Sequence, residues 1–331
     1  LSAVTKPLYS RYFRFYSGGC GSRTIRFEEE KMKSSLVAKH TLPITAWVAM
    51  LIVSDLPDML ITWLGGPIPS WMFWAKVAFL AVFFGLTRMS KTIRPLWQYA
   101  LALFTLFLAL GLTSLLRNTA WFQGHFNYRG VSFFRGYAAI MTLDILVALA
   151  VIAVLWLMKR DRKAFFLVKG RMDAPIEPIR WLGIKAGASW KSAGWIFAGV
   201  AALAVFVPTI LAIAPSGATF LRALPLFPAA VFFAAVNAFT EEAYFRSSLL
   251  STLHEVIGKA HTLLITLVFF GLAHWLYGSP SGLVGFAMTG FLAWVMGRSM
   301  LETKGILWPW IIHFAPDVVI FMSYALLFVK S

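Results

Sequence analysis

Cysteine is all but missing from this chain. Cys20 is the single thiol in 331 residues, which excludes an intrachain disulfide and argues against a cysteine nucleophile. Charge is scarce as well: 13% of residues carry it, and acids number 14 against 30 bases. That is far outside the range of ordinary soluble domains. Strand-like alternation is lacking, which argues against a membrane β-barrel. There is no His-Glu-x-x-His pair, and no repeat or low-complexity tract organises the chain.

What the chain has instead is apolar length. Hydrophobic residues make up 59% of it and its mean hydropathy is +0.74. About 20 mostly apolar residues cross ~30 Å of hydrocarbon. Nine runs qualify, at roughly 42–64, 71–87, 96–116, 137–158, 192–214, 225–251, 261–277, 281–299 and 305–329. Continuous runs in lipid read as helices, which satisfy their own backbone groups. The expected fold is an all-α polytopic integral membrane protein of about eight to nine transmembrane helices. The first run is broken by Asp55, Pro57 and Asp58.

A net charge of +16 invites a nucleic-acid reading, but its distribution argues against one. With the N-terminus in the cytoplasm, the inner segments hold Lys33, Lys39, Arg88, Lys91, Arg94, Lys259, Arg298 and Lys304, with nine more bases from Lys159 to Lys191. The outer segments hold only Arg117, Arg129, Arg135, Arg222 and Lys330. That asymmetry predicts a multi-pass inner (plasma) membrane protein with a cytoplasmic N-terminus. Residues 159–191, rich in charge and carrying Pro175 and Pro178, read as a solvated basic linker facing lipid headgroups. Residues 1–31 resemble neither a signal peptide nor a span. They end in Glu28-Glu29-Glu30-Lys31 before Met32, a tetrad with purine-only codons, as in a translated ribosome-binding site. They read as an upstream extension of a protein starting at Met32.

Two halves follow. Residues 32–158 hold four spans without clustered polar chemistry: Lys76 reads as a snorkelling residue, and Asp55, Asp58 and Asp144 as isolated structural carboxylates. Residues 192–331 hold five spans and three polar clusters, namely Glu241-Glu242-Ala243-Tyr244-Phe245-Arg246, Phe270-x-x-x-His274 and His313-x-x-x-Asp317. Ionisable side chains inside spans are costly and mark functional interiors. Glu242 and Arg246 stand four apart, as an ion pair on one helix face. Glu241 is rotated about 100° away, so it is the acid left for chemistry, while Glu242–Arg246 reads as a clamp. Phe270 lies one turn before His274 and can fix the direction of its ring. At ~1.5 Å per residue, Glu241 and His274 sit roughly 15 and 20 Å from the inner ends of their spans. Gly271, Pro225, Pro228 and Pro316 offer kinks that would help the clusters converge. His40, His125, His254 and His261 lack such company.

The order Glu-Glu-x-x-x-Arg, Phe-x-x-x-His, His-x-x-x-Asn/Asp over residues 192–331 resembles the CPBP family of intramembrane proteases, which takes in CAAX proteases and bacteriocin-processing (Abi) enzymes. Asp317 stands where that family often has Asn. The resemblance implies an intramembrane endopeptidase acting on a membrane-associated protein or peptide, with CAAX-type processing within its range. Glu241 and His274 would activate water, and His313 and Asp317 would stabilise the oxyanion, with Asp317 fixing the His313 tautomer if the two bond. Glu242, Arg246 and Phe270 would support them. No cofactor is expected; zinc held by Glu241, His274 and His313 is the alternative. A transporter, or a non-catalytic immunity or scaffold protein, is the reading from other function classes.

Overall fold

A computed structural model describes residues 40–127, 130–158, 160–277 and 281–330. Cys20, Met32, Lys33, Lys39, Arg129 and the expected 1–31 extension lie outside the described residues. Among the described residues eight helices are long and apolar enough to span a bilayer, and a bent pair brings the count to as many as nine. Each of the nine apolar runs forms one of them. The pair is α1 (His40–Val53) and α2 (Leu56–Trp63), set at 53° where Asp55 and Pro57 interrupt the first run. Then come α3 (Met72–Met89), α4 (Trp97–Arg117), the short α5 (Ala120–Phe126) and α6 (Phe133–Leu157). The C-terminal half holds α7 (Trp190–Ile213), the short α8 (Gly217–Ala223), α9 (Phe227–Glu241), α10 (Ser248–Ile257), α11 (Lys259–Tyr277), α12 (Gly282–Thr303) and α13 (Leu307–Lys330). Helices α8 to α10 run on as one span, Gly217–Ile257.

The hydrophobic interior is divided. One apolar cluster joins α1, α3, α4 and α6 to Tyr244, Leu249, Leu253, Ile265 and Phe269. It therefore stitches the two halves together. A second packs Phe133 and Met141 of α6 against Phe233 of α9 and Phe321 of α13.

Three expectations change. Lys76 does not snorkel, and Asp55 and Asp58 are not isolated. Lys76 is buried, hydrogen-bonded to Asp58 and 3.8 Å from Asp55. The break between α1 and α2 aims both carboxylates at α3, and a buried amine beside two acids has no reason to reach for the interface.

The 159–191 segment is more than a solvated linker. Phe165, Phe166, Ala174, Ile176 and Ile179 are buried, and isolated antiparallel bridges join Pro175 to Ser189 and Ile179 to Ile184. The Arg171 N–H donates to the Thr303 carbonyl at 2.8 Å, and that of Ile306 to Val168 at 3.0 Å. Gly170, at φ +74°, lies so close to Gly305 that a Cβ on Gly305 would stand 2.4 Å from the Gly170 backbone. Part of its charge is paired: Glu177 meets Lys259 at 2.7 Å, and Lys259 and Arg298 meet Glu302 at 3.1 and 2.8 Å. The Lys259 hydrogen bond holds the Glu177 carboxyl below its usual range. The charged loop thus folds as a cap on the ends of α11, α12 and α13.

Gly271 is not a kink, since α11 runs through it without a break. A Cβ there would stand 2.9 Å from the Phe286 ring and carbonyl, so this glycine lets α11 and α12 approach.

Candidate active site

The chain around Glu241 leaves the ordinary helix. Phe227–Glu241 is α-helical, Glu242–Ser247 is a π turn, and the α-helix resumes at Ser248. A π turn carries an extra residue per hydrogen-bonded loop and often marks a functional site. Through it Glu242 stays ion-paired with Arg246, and both are fully buried. Glu241 sits at its threshold with its side chain 21% exposed. The two acids are therefore separated, one sealed and one open.

Glu242 does more than clamp an arginine. Its Oε1 also accepts from His313 Nδ1 at 2.7 Å. Arg246 turns its guanidinium over the Phe270 ring, 4.4 Å from the centroid, and its Nε and Nη2 have no hydrogen-bond partner among the described residues. A cation on an aromatic face recovers part of that cost. Phe270 in turn lies 4.7 Å from the His274 ring and edge-on to His313 at 6.0 Å. His274 Nδ1 donates to the Phe270 carbonyl at 2.9 Å. That bond puts the proton on Nδ1 and leaves Nε2 able to accept.

The Asp317–His313 bond on which a tautomer role for Asp317 would depend is not made. Asp317 Oδ2 stands 3.8 Å from His313 Nε2, and Glu241 Oε2 stands 3.7 Å from the same nitrogen. The four-residue spacing brings Asp317 alongside the Nε2 edge, whereas Nδ1 faces the π turn. Glu242, not Asp317, orients the ring. Nor are Glu241 and Asp317 unpaired: Asn237 Nδ2 donates to Asp317 at 3.0 Å and to Glu241 at 3.3 Å. Asn237 was overlooked in the sequence, although it stands four positions before Glu241 and shares its helix face.

Glu241, His274, His313, Asp317 and Asn237 all line one cavity of about 1070 Å³. The N-terminal half supplies part of its wall, through Arg117 of α4 and Tyr137, Ile140, Met141 and Asp144 of α6. Asp144 is not an isolated carboxylate: it faces the same cavity as Glu241. A lone acid in the middle of an apolar span was its signal. The carboxylates, the amide and two imidazoles can together hold a water, accept its proton and return it.

Zinc ligands sit about 2.0–2.3 Å from the ion, and among the described residues no three His, Cys, Asp or Glu side chains group so as to hold one. His274 and His313 give Nδ1 to Phe270 and Glu242, which fixes both rings and leaves each Nε2 for the chemistry of the cavity.

The polar groups of this cavity lie in a segment with a known likeness. Residues 222–319 match the Rce1-like family model, described as Type II CAAX prenyl endopeptidase Rce1-like. The match takes in all seven motif residues from Glu241 to Asp317 and covers under a third of the chain. It supports a membrane protease of the CAAX-endopeptidase type in general. The wall contributed by α4 and α6 lies outside it. No curated protein and no solved structure matches the chain.

Proposed function

We propose that this protein is an intramembrane endopeptidase that hydrolyses a peptide bond in a membrane-associated protein or peptide without a metal. One observation carries the reading: Glu241, His274, His313 and Asp317, from three separate spans, converge on a single cavity deep in the helix bundle. The match of residues 222–319 to a prenyl-endopeptidase family gives it independent support.

Peptide hydrolysis needs a base for water, a donor for the oxyanion and an acid for the leaving amine. His274 Nε2 accepts one hydrogen of the water and orients it. Glu241, the open acid, takes the other as the water oxygen bonds to the carbonyl carbon. The carbonyl oxygen becomes an oxyanion and receives a hydrogen bond from His313 Nε2–H. This role requires His313 to carry both ring protons, with Nδ1–H given to Glu242. Glu241 then passes its proton to the amide nitrogen, the C–N bond breaks, and a carboxyl and an amine terminus leave. Asn237 keeps Glu241 and Asp317 at their stations throughout. The multi-pass protein would sit in the inner (plasma) membrane with its N-terminus in the cytoplasm. CAAX-type processing is the narrower activity that the family likeness suggests.

The test is a comparison of peptide termini in membranes from cells carrying the native or the Glu241→Gln chain. Termini present only with the native chain are expected; identical sets would contradict hydrolysis by this site.

A further inference from the structure

We infer that substrate reaches this cavity from the face opposite the basic loops, so that the bond cut belongs to a polypeptide segment on the non-cytoplasmic side. The inference rests on the protease reading for the word substrate, and on three observations for the direction.

The first is where the lining residues fall along their helices. On α13 the lining runs from His313 through Asp317, Ile320 and Tyr324 to Leu327 and Phe328. From His313 to Leu327 is fourteen positions, or about 21 Å of helix. Leu327 is three residues from the end of α13, and Arg117 is the last residue of α4. Tyr137 lies near the start of α6, and His274 near the end of α11. These are the helix ends that meet the 118–132 and 278–281 connections. The cavity therefore deepens from that face toward His313.

The second is the seal at the other end. Below His313, Ile312 and Trp308 are buried, and the Trp308 indole donates to the Met172 carbonyl of the 159–191 segment at 2.8 Å. Ser247, at the end of the π turn, donates to the Phe165 carbonyl of the same segment. With Gly305 against Gly170, the folded cap closes the floor.

The third is charge. Among the described residues the sealed face carries eight bases in 160–191 together with Arg88, Lys91, Arg94, Lys259, Arg298 and Lys304, whereas the connections on the mouth side carry few. Basic loops stay in the cytoplasm, so the mouth opens away from it. Its wall is aromatic, with Tyr137, Phe321 and Tyr324, and among the described residues Arg117 is the one lysine or arginine in the lining, beside Asp144, Glu241 and Asp317. That suits an extended apolar segment.

The experiment uses the full chain with Cys20→Ser and single substitutions Arg117→Cys, Ile320→Cys, Leu327→Cys or Arg162→Cys. An impermeant maleimide applied to intact cells should label the chain carrying Arg117→Cys and the one carrying Ile320→Cys. Arg162→Cys, in the cap, should label only after permeabilisation. Leu327→Cys replaces Ile320→Cys if the latter fails to insert. The reverse pattern overturns the inference, as does a cavity cysteine that reacts only after permeabilisation or from neither side. Labelling does not depend on hydrolysis, so a chain that labels as expected but cleaves nothing contradicts the enzyme reading alone. For a chain that does cleave, the termini lost with Glu241→Gln should map to segments on the exported side, and cytoplasmic ones would overturn the inference.

Discussion

Glu242→Ala removes the group on which the site's internal order depends. In the native protein one carboxylate oxygen serves both Arg246 and His313 Nδ1, and neither Glu242 nor Arg246 has any solvent exposure. Truncation leaves a buried guanidinium with no carboxylate to face. Breaking a buried ion pair from one side costs about 3–5 kcal/mol, because the orphaned charge keeps its desolvation penalty. At about 2–4 °C per kcal/mol for a protein of this size class, the melting temperature should fall on the order of 10 °C. Glu241→Ala is the internal control. Its side chain is 21% exposed, and its contacts are a 3.3 Å hydrogen bond from Asn237 and a 3.7 Å approach to His313, so about 1 kcal/mol or less is at stake. Thermal unfolding of the purified variants in detergent, followed by tryptophan fluorescence, separates the two. Equal melting temperatures would refute the division into a sealed structural acid and an open chemical one.

Asn237→Ala should lower the cleavage rate about tenfold or more by freeing Glu241 and Asp317, while leaving the melting temperature within a few degrees of native; full activity would remove Asn237 from the site. Gly305→Ala should destabilise by about 1–3 kcal/mol, because its Cβ would stand 2.4 Å from the Gly170 backbone, which cannot move aside as a side chain could. Gly199→Ala, which points into open space on α7, should cost nothing measurable, and equal losses for the two would contradict the packing of the cap. Exhaustive chelation should leave cleavage unchanged; loss of activity restored by zinc would turn Glu241, His274 and His313 into ligands.

The spans were legible from composition alone, because lipid leaves a helix few alternatives and a 20-residue apolar run is hard to mistake. Even the bend in the first span was signalled by Asp55 and Pro57. What the sequence hid were contacts between elements far apart in it. That Lys76 meets Asp58 depends on how α2 folds back on α3. That the basic 159–191 segment packs as a cap follows from its buried Phe165, Phe166 and Ile176, whose neighbours lie far off in the sequence: Phe165 joins residues of α1, α4 and α10, Phe166 those of α10 to α12, and Ile176 those of α12 and α13. In the site, local spacing found Glu242–Arg246 and Phe270–His274, because both are contacts within one helix. It failed for His313, whose choice between Glu242 and Asp317 is made by the packing of α13 against the π turn. Spacing cannot report which edge of a ring faces a neighbouring helix.

The central claim is that Glu241 is the proton-accepting group of a peptide hydrolysis. The measurement that meets it most directly is the cleavage rate of the purified native and Glu241→Gln proteins in proteoliposomes, on a peptide chosen from the termini that depend on the native chain. Glutamine keeps the shape and the neighbours of the side chain but cannot take a proton. The rate should fall by at least ~10²-fold, with an unchanged melting temperature showing that the fold is intact. Cleavage by Glu241→Gln at close to the native rate would contradict the account.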